Sequence, residues 1–483
     1  MLLNDFKSFK TITPFPKNLK ALKGCNCFYF EKIEIFLQLP TEKRGGSSMK
    51  NSINYKKSMF NFTFTGNKGE IFIHNTRTLA LSLLTPRELD LINNIPNRVL
   101  TDDEQSYMDE LFKSGFLIKD DCDEIKILNH RLNSQRYKNQ HLSLTIAPTL
   151  NCNFNCSYCF EKVGSEKCKG IMSSDIQDKL MKFIVDKLDN CMYMDVTWYG
   201  GEPLVALNVI KKLSTRIIDV CKKKNVYYSA MMITNGYLLG NTSTTELKDI
   251  NINNIQITID GPEKIHNKRR ILKNGQGTFK EIINNINKYQ NKMEIAIRIN
   301  ADYTNVNHLD ELLLELVNNK VNNVTLNLAK VANYENPDDP NCIKNETFYP
   351  FLLDFSNKCK LNNLSHPLDI SPLSSYCSAD TSNSYVIDPE GFIYKCWQNI
   401  GNKEMSVDNL SDNSDDKNTQ LFYNYMCYNA TEDDNCKKCK MLPICMGGCP
   451  YNRIIGAERC TPLKYCLDKV LLRNLGLEDQ VNF

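Results

Sequence analysis

A chain of 483 residues with 42% hydrophobic and 24% charged residues reads as a globular protein of two to four domains. The net charge of +3 calls for no polyanionic partner such as nucleic acid. No apolar run approaches the ~20 residues of a membrane span, and the N-terminus lacks the charged, apolar and small-residue order of a secretory signal. A cytoplasmic location is the expectation. There, twenty cysteines, 11 of them from Cys342 onward, read as metal ligands rather than disulfides.

Residues 1–48 hold Cys25 and Cys27 but no periodic element or helix cap. Lys43-Arg44-Gly45-Gly46 can be encoded by a purine run of the kind that precedes a bacterial start codon, with Ser47-Ser48 as spacer. Met49 is therefore an expected start and residues 1–48 a translated leader; a genuine extension is the alternative.

Residues 49–137 read as a winged-helix-like α+β module. Asn61–Thr65 and Glu70–His74 alternate about Gly66-Asn67-Lys68-Gly69, a hairpin pattern. Thr85-Pro86-Arg87-Glu88 and Thr101-Asp102-Asp103-Glu104 each supply an N-cap and a capping-box acid, and Gly115 stops the second helix. Phe116–Ile118 and Ile125–Ile127 read as extended. Residues 50–137 carry 12 Lys/Arg against 12 Asp/Glu. That balance disfavours DNA binding and favours an exposed strand edge that accepts a peptide strand, or a module that only packs.

From 138 to 330, strands and helices alternate as in a parallel α/β barrel. The expected strands are Leu142–Ala147, Met194–Tyr199, Ala230–Thr234, Ile255–Ile259, Glu294–Ile299 and Val324–Leu328, and six would make a partial barrel. In such folds the chemistry sits on loops at the C-terminal ends of strands. After the first strand come Cys152, Cys156 and Cys159 in a C-x3-C-x2-C array, with Tyr158 before the last thiol. Three thiolates so spaced can hold three irons of a cubane cluster and leave the fourth open. A zinc site or unliganded thiols are the alternatives. Later strand ends carry Gly200-Gly201-Glu202, Thr234-Asn235-Gly236, Asp260-Gly261-Pro262 and Arg298-Ile299-Asn300. The glycines allow a ligand to approach backbone amides, and Glu202 is suited to an ammonium group.

Residues 331–376 form a bridging segment, turn-rich at Asn336–Pro340. Residues 377–483 are cysteine-rich. Cys377 is followed by Gly391 and, after four intervening residues, Cys396; then come Cys436, Cys439, Cys445 and Cys449, and last Cys460 and Cys466. Residues 403–435 between these blocks, rich in Asp and Asn, read as a surface insertion. The spacings alone also suit a two-zinc ribbon.

On these motifs the chain resembles the radical SAM enzymes, with an α/β, partial (β/α)6 radical SAM barrel and a C-terminal SPASM iron–sulfur domain. The resemblance implies that Cys152, Cys156 and Cys159 hold a [4Fe–4S] cluster whose open iron binds S-adenosylmethionine. It also implies that Gly200, Gly201 and Glu202 meet the methionyl amine, and that Thr258 and Arg298 lie near its carboxylate or the ribose. Reductive cleavage would yield a 5′-deoxyadenosyl radical that abstracts hydrogen. Two auxiliary [4Fe–4S] clusters are implied, one on Cys377, Cys396 and Cys449 and one on Cys436, Cys439, Cys445 and Cys466, with Cys460 competing for the last place. Sulfatase-maturating relatives carry a further cysteine shortly before the first of these. Here Ser371–Tyr376 contains none, so the first auxiliary cluster is expected to keep an open iron unless Cys359 or Cys427 fills it.

The whole layout resembles a peptide maturase with a leader-recognition domain. The expected substrate is a ribosomally made precursor peptide, the expected product a thioether crosslink, and the expected electron donor a flavodoxin- or ferredoxin-like protein. Carbon–carbon crosslinking, epimerisation and formylglycine formation on sulfatases are the rivals within the class. A zinc-stabilised peptide- or DNA-binding regulator is the rival outside it.

Overall fold

The computed structural model describes residues 54–95, 100–159, 170–333, 336, 339–368, 370–371, 377–411 and 419–477. The expectations for residues 1–48, for Met49 as start and for the cysteine-free stretch 372–376 lie outside the described residues. In the N-terminal module, β1 (Tyr55–Lys57) pairs antiparallel with β5 (Leu117–Lys119). The strands β2 (Asn61–Thr65), β3 (Ile71–Asn75) and β4 (Leu81–Leu84) form an antiparallel meander. Helices Pro86–Asn93 and Asp102–Ser114 begin at Thr85 and Thr101 with complete capping boxes, and Gly115 ends the second at φ 81°. Ile125–Ile127, expected as extended, instead lies in helix Glu124–Arg136. Asp123 caps that helix by accepting from the Ile125 and Lys126 amides, and Leu128 and Leu132, one turn apart, are its buried apolar pair.

Six parallel strands follow in chain order: β6 (His141–Ile146), β7 (Tyr193–Trp198), β8 (Tyr227–Thr234), β9 (Ile252–Thr258), β10 (Glu294–Ala301) and β11 (Thr325–Lys330). Their two faces differ. In β10, Ile295, Ile297 and Ile299 are buried in one core with Ile282 and Ile286 of helix Phe279–Tyr289 and Leu312 and Leu316 of helix Leu309–Asn318. Arg298 and Asn300 lie on the opposite, half-buried face. Parallel register sets Arg298 beside Thr258 on one side and Asn327 on the other, and Asp195 between Ser143 and Ser229. Cα partners in register share a face, so the concave side, away from the helices, carries Arg298, Thr258, Gln256 and Asn327 together with Met231, Ile233 and Ala296, while the convex side is aliphatic.

The same sheet runs on into the C-terminal region. The strand β12 (Ser384–Ile387) lies parallel to β6, and β13 (Phe392–Tyr394) and β14 (Asp408–Asn409) follow antiparallel, giving nine strands among the described residues. The bridging segment contains the 17-residue helix Asn345–Leu361, which the sequence conceals because Pro350 sits inside it and Lys344 at its start makes no side-chain cap. Residues 403–435 are more than a surface insertion: they supply β14 and helix Thr419–Met426, whose Leu421 and Tyr425 are buried.

The N-terminal module is docked on the C-terminal region. Phe64, Phe72 and Leu81 share a core with Leu467, Val470 and Leu471 of helix Leu467–Leu475. Leu128 and Leu132 share another with Leu442 and Met446. Leu132→Ala is expected to destabilise the protein by about 2–5 kcal/mol, read as a lower thermal midpoint. His74, 2% exposed, has its pKa lowered to about 4 by burial. The unfolded chain, titrating near 6.5, binds more protons between these values, so stability is full above pH 6.5 and falls as pH drops toward 4. The loss attributable to this ring is about 3 kcal/mol, and denaturant titrations of His74→Leu are expected to show a shallower acid limb.

Candidate active site and cysteine clusters

The first cysteine loop leaves the C-terminal end of β6 and lies directly on the Gly-Gly-Glu turn that leaves β7. The Gly201 amide donates to the Thr149 carbonyl at 3.2 Å and the Glu202 amide to the Asn151 carbonyl at 2.9 Å. A Cβ on Gly200, whose φ is 116°, would stand 2.3 Å from the Thr149 oxygen; one on Gly201 would stand 2.4 Å from the Leu150 oxygen. The glycines are thus required by backbone packing between the two loops, and the Gly201 and Glu202 amides are engaged there.

Glu202 is fully buried. Its carboxylate accepts from Thr234 Oγ1 at 2.7 Å, the Asn235 amide at 2.7 Å and the Leu204 amide at 3.0 Å. Burial pushes its pKa up, while the Asn235, Thr234 and Leu204 donors oppose that rise. The carboxylate therefore ties the turn after β7 to the end of β8. Asn235, so fixed, directs its side-chain amide at Asn153 Oδ1 (2.7 Å) and at the Cys152 sulfur (3.8 Å).

Tyr158, between Cys156 and Cys159, anchors the loop from the other side. Its hydroxyl donates to Asp260 at the end of β9 and accepts from Arg270 Nη1 at 2.7 Å and Asn300 Nδ2 at 3.2 Å. The Arg269 guanidinium lies 4.8 Å from the Tyr158 ring centroid, and Arg269 Nη1 reaches both Asp302 oxygens at 2.9 and 2.8 Å. The Asp260 carboxylate in turn accepts from the Asn300 amide at 3.0 Å. Asn235 belongs to a strand-end motif read from the sequence, whereas Arg269 and Arg270 were not singled out; the doubled arginine just beyond the Asp-Gly-Pro strand end was the available signal. Thr258 and Arg298 stand side by side on the concave face, and Arg298 Nε donates to Asn300 Oδ1 at 2.8 Å.

These residues fit an iron–sulfur cluster. Burial, with Glu202, Cys156 and Cys159 adding and the Phe154 amide opposing, pushes the Cys152 thiol up to about 12, so the three thiols stand close enough to bear on one another. The Phe154 amide points at the Cys152 sulfur at 3.4 Å, and the Arg270 cation interacts with Cys156. Amide donors and a buried cation around thiolates are what an anionic cluster needs.

Farther along, the structure brings Cys377, Cys396 and Cys449 together. Burial raises the pKa of Cys396, and Cys377 and Cys449 add to it; Cys377 is raised by burial, with Cys449 adding. In the second group, Cys445 is raised by burial, with Cys460 and Cys439 among the contributors. Lys464 Nζ lies 3.9 Å from the Cys460 sulfur. Cys466 is fully buried in a core against which Cys439 and Cys445 pack, and its thiol faces the Pro462 carbonyl at 3.6 Å. Cys460 and Cys466 thus both stand near Cys439 and Cys445. Cys436 is joined to Cys439 by backbone, the Cys439 amide donating to its carbonyl at 2.9 Å, and has Tyr428 Oη at 3.7 Å and Arg459 Nη2 at 3.9 Å from its sulfur. Cys359 is a core thiol with Arg473 as its electrostatic neighbour, and Cys427 is exposed beyond helix Thr419–Met426. Among the described residues, no three Cys, His, Asp or Glu side chains converge at single-ion distance, so the groupings rest on electrostatic contact between thiols.

Residues 146–316 match the sequence profile of the Radical SAM superfamily. The chain is similar to the cysteine-type anaerobic sulfatase-maturating enzyme of Clostridium novyi, 25% identical over 352 residues, covering 65% of this chain and 88% of that protein. It is also similar to the radical SAM cyclopropyl synthase TigE of Paramaledivibacter caminithermalis, 24% identical over 397 residues, covering 73% and 80%. Among solved structures, native anSMEcpe with bound AdoMet and the Cp18Cys peptide superposes with a TM-score of 0.53 at 20% identity, over 70% of this chain and 100% of that one, which establishes a shared fold.

Gly201→Ala is expected to force the two loops apart. An anaerobic iron count and a deoxyadenosine assay should show lost iron and at least about tenfold slower S-adenosylmethionine cleavage. Tyr158→Phe leaves buried Asp260 and Arg270 short of a partner and is expected to cost about 1–3 kcal/mol in unfolding free energy while the three sulfurs remain.

Proposed function

Since the barrel is a radical SAM domain, which implies a [4Fe–4S] cluster and S-adenosylmethionine, we propose that this enzyme modifies a ribosomally made precursor peptide and closes a thioether between a cysteine sulfur and a peptide carbon. The observation that carries this reading is the second thiol group, Cys377, Cys396 and Cys449, held at the edge of the same sheet that carries the first cysteine loop. Three thiols suit an auxiliary cluster with one position free for a substrate thiolate. Cys436, Cys439 and Cys445, with Cys466 or its competitor Cys460 as the fourth thiol, suit a second auxiliary cluster.

Cys152, Cys156 and Cys159 would hold the first cluster, and S-adenosylmethionine bound there would supply the radical chemistry for hydrogen abstraction from the peptide. The chain's own residues do the rest. Glu202 and Asn235 fix the loop that presents Cys152, Tyr158 with Asp260 and Arg270 fixes Cys156 and Cys159, and the Thr258–Arg298 pair offers the concave face a hydroxyl and a cation. Arg270, buried beside Cys156 and Tyr158, is a further cation available to a carboxylate. The leader is proposed to add to β4, which among the described residues pairs only with β3 and exposes Leu83. A flavodoxin- or ferredoxin-like donor would supply the electron.

The second reading, maturation of a sulfatase, is favoured by the 88% coverage of the Clostridium novyi relative. Anaerobic incubation with a cysteine-containing precursor peptide, S-adenosylmethionine and dithionite tests the two. A peptide lacking two hydrogens, with one cysteine no longer alkylated, supports the thioether reading. Conversion of a sulfatase-derived cysteine to an aldehyde, with the precursor untouched, would move the assignment to the second. Leu83→Lys is expected to raise KM for the precursor by about tenfold while leaving peptide-independent deoxyadenosine formation unchanged.

A further inference from the structure

Helix Glu124–Arg136 carries a buried charge at each end. Glu124 stays within the N-terminal module, accepting from Ser58 Oγ and the Met59 amide at 2.8 Å each and from Arg77 Nε at 3.0 Å. Arg136, about 20 Å along the helix, leaves the module. Its Nη2 stands 3.6 Å from Asp380 Oδ1, its Nε donates to the Asp380 carbonyl at 3.3 Å, and its own carbonyl accepts from the Ser382 amide at 2.8 Å. Asp380 belongs to the turn after Cys377 and donates its amide to the Cys377 carbonyl at 2.8 Å.

The same carboxylate accepts from Arg453 Nη2 at 2.5 Å, and the Arg453 amide donates to the Cys449 carbonyl at 3.1 Å. Lys395, next to Cys396 and fully buried, donates to the Thr381 and Ser384 carbonyls at 2.5 and 2.6 Å. Two guanidiniums thus face a single carboxylate on the turn that follows Cys377. Guanidiniums stay protonated in proteins, and buried cations in excess need an anion. Thiolates bearing a cluster are the anion the arrangement suits.

We infer that Arg136 is a positioning residue for a cluster on Cys377, Cys396 and Cys449: it fixes the Cys377 turn through Asp380 and raises that cluster's reduction potential, making the N-terminal module part of the auxiliary site. The inference rests on the auxiliary-cluster reading proposed above. Its physical basis is that reduction adds negative charge, which a nearby desolvated cation stabilises.

The test is an iron count and an EPR-monitored dithionite titration of the full-length reconstituted enzyme and of Arg136→Gln, Arg136→Lys and Asp380→Asn, with Lys126→Gln as a surface-charge control on the same helix. Arg136→Gln is expected to keep its iron and to shift one couple toward lower potential by about tenfold in the reduction equilibrium, 59 mV for one electron. The couple perturbed by adding S-adenosylmethionine should stay in place. Arg136→Lys should recover part of the shift, Asp380→Asn should move the same couple in the opposite direction, and Lys126→Gln should move none. Full iron with every couple unmoved in Arg136→Gln overturns the inference. If that variant fails to take up iron, unmoved couples in Arg136→Lys and Asp380→Asn overturn it equally. A wild-type enzyme with only about four irons overturns the auxiliary-cluster reading itself, an outcome visible before any variant is titrated.

Discussion

The site depends on a backbone contact. The turn after β7 can lie on the cysteine loop only because Gly200 and Gly201 have no side chain, since any Cβ there would stand 2.3–2.4 Å from a carbonyl oxygen of residues 149–150. With the two loops in contact, the Glu202 amide closes on Asn151 and the Glu202 carboxylate reaches the end of β8. Asn235 then points at Cys152. From the far side of the loop, Tyr158 binds Asp260 and Arg270. The cysteine loop is therefore held by the ends of β7, β8 and β9 at once, which is how a parallel barrel converts strand register into a placed reactive group.

Charge is organised differently at the two ends of the sheet. Near the first loop, Arg269 and Arg270 are answered by Asp260, Asp302 and the Tyr158 hydroxyl. Near Cys377, Cys396 and Cys449, positive groups outnumber the one carboxylate that faces them. A buried excess of that sign is costly without a partner, and it gives the second thiol group a chemical character that its spacing in the sequence does not disclose.

Much of the fold was legible because its signals are local. The capping boxes at Thr85 and Thr101 and the left-handed Gly115 are complete within a few residues. The six barrel strands announce themselves by short aliphatic runs with polar or glycine ends. Helix Glu124–Arg136 was hidden because Ile125-Lys126-Ile127 alternates like a strand and only Asp123 marks its start. Helix Asn345–Leu361 was hidden by Pro350. At the site, the sequence supplied the thiols, the Gly-Gly-Glu turn and the Thr234-Asn235-Gly236 strand end, but the partners Arg269 and Arg270 become visible only when strand ends meet. Spacing along the chain admits both Cys460 and Cys466 beside Cys439 and Cys445, and the packing keeps both near them.

The central claim is that the cysteine groups hold iron–sulfur clusters and that the first of them, on the loop after β6, is where S-adenosylmethionine is cleaved. An anaerobic iron, sulfide and zinc analysis of the intact enzyme beside a variant with Cys152, Cys156 and Cys159 all changed to Ala tests it most directly. The account predicts about twelve irons with matching sulfide and little zinc, a loss of about four irons in the variant, and no deoxyadenosine from it. Zinc without iron after reconstitution, or cleavage that survives removal of the three thiols, would contradict the account.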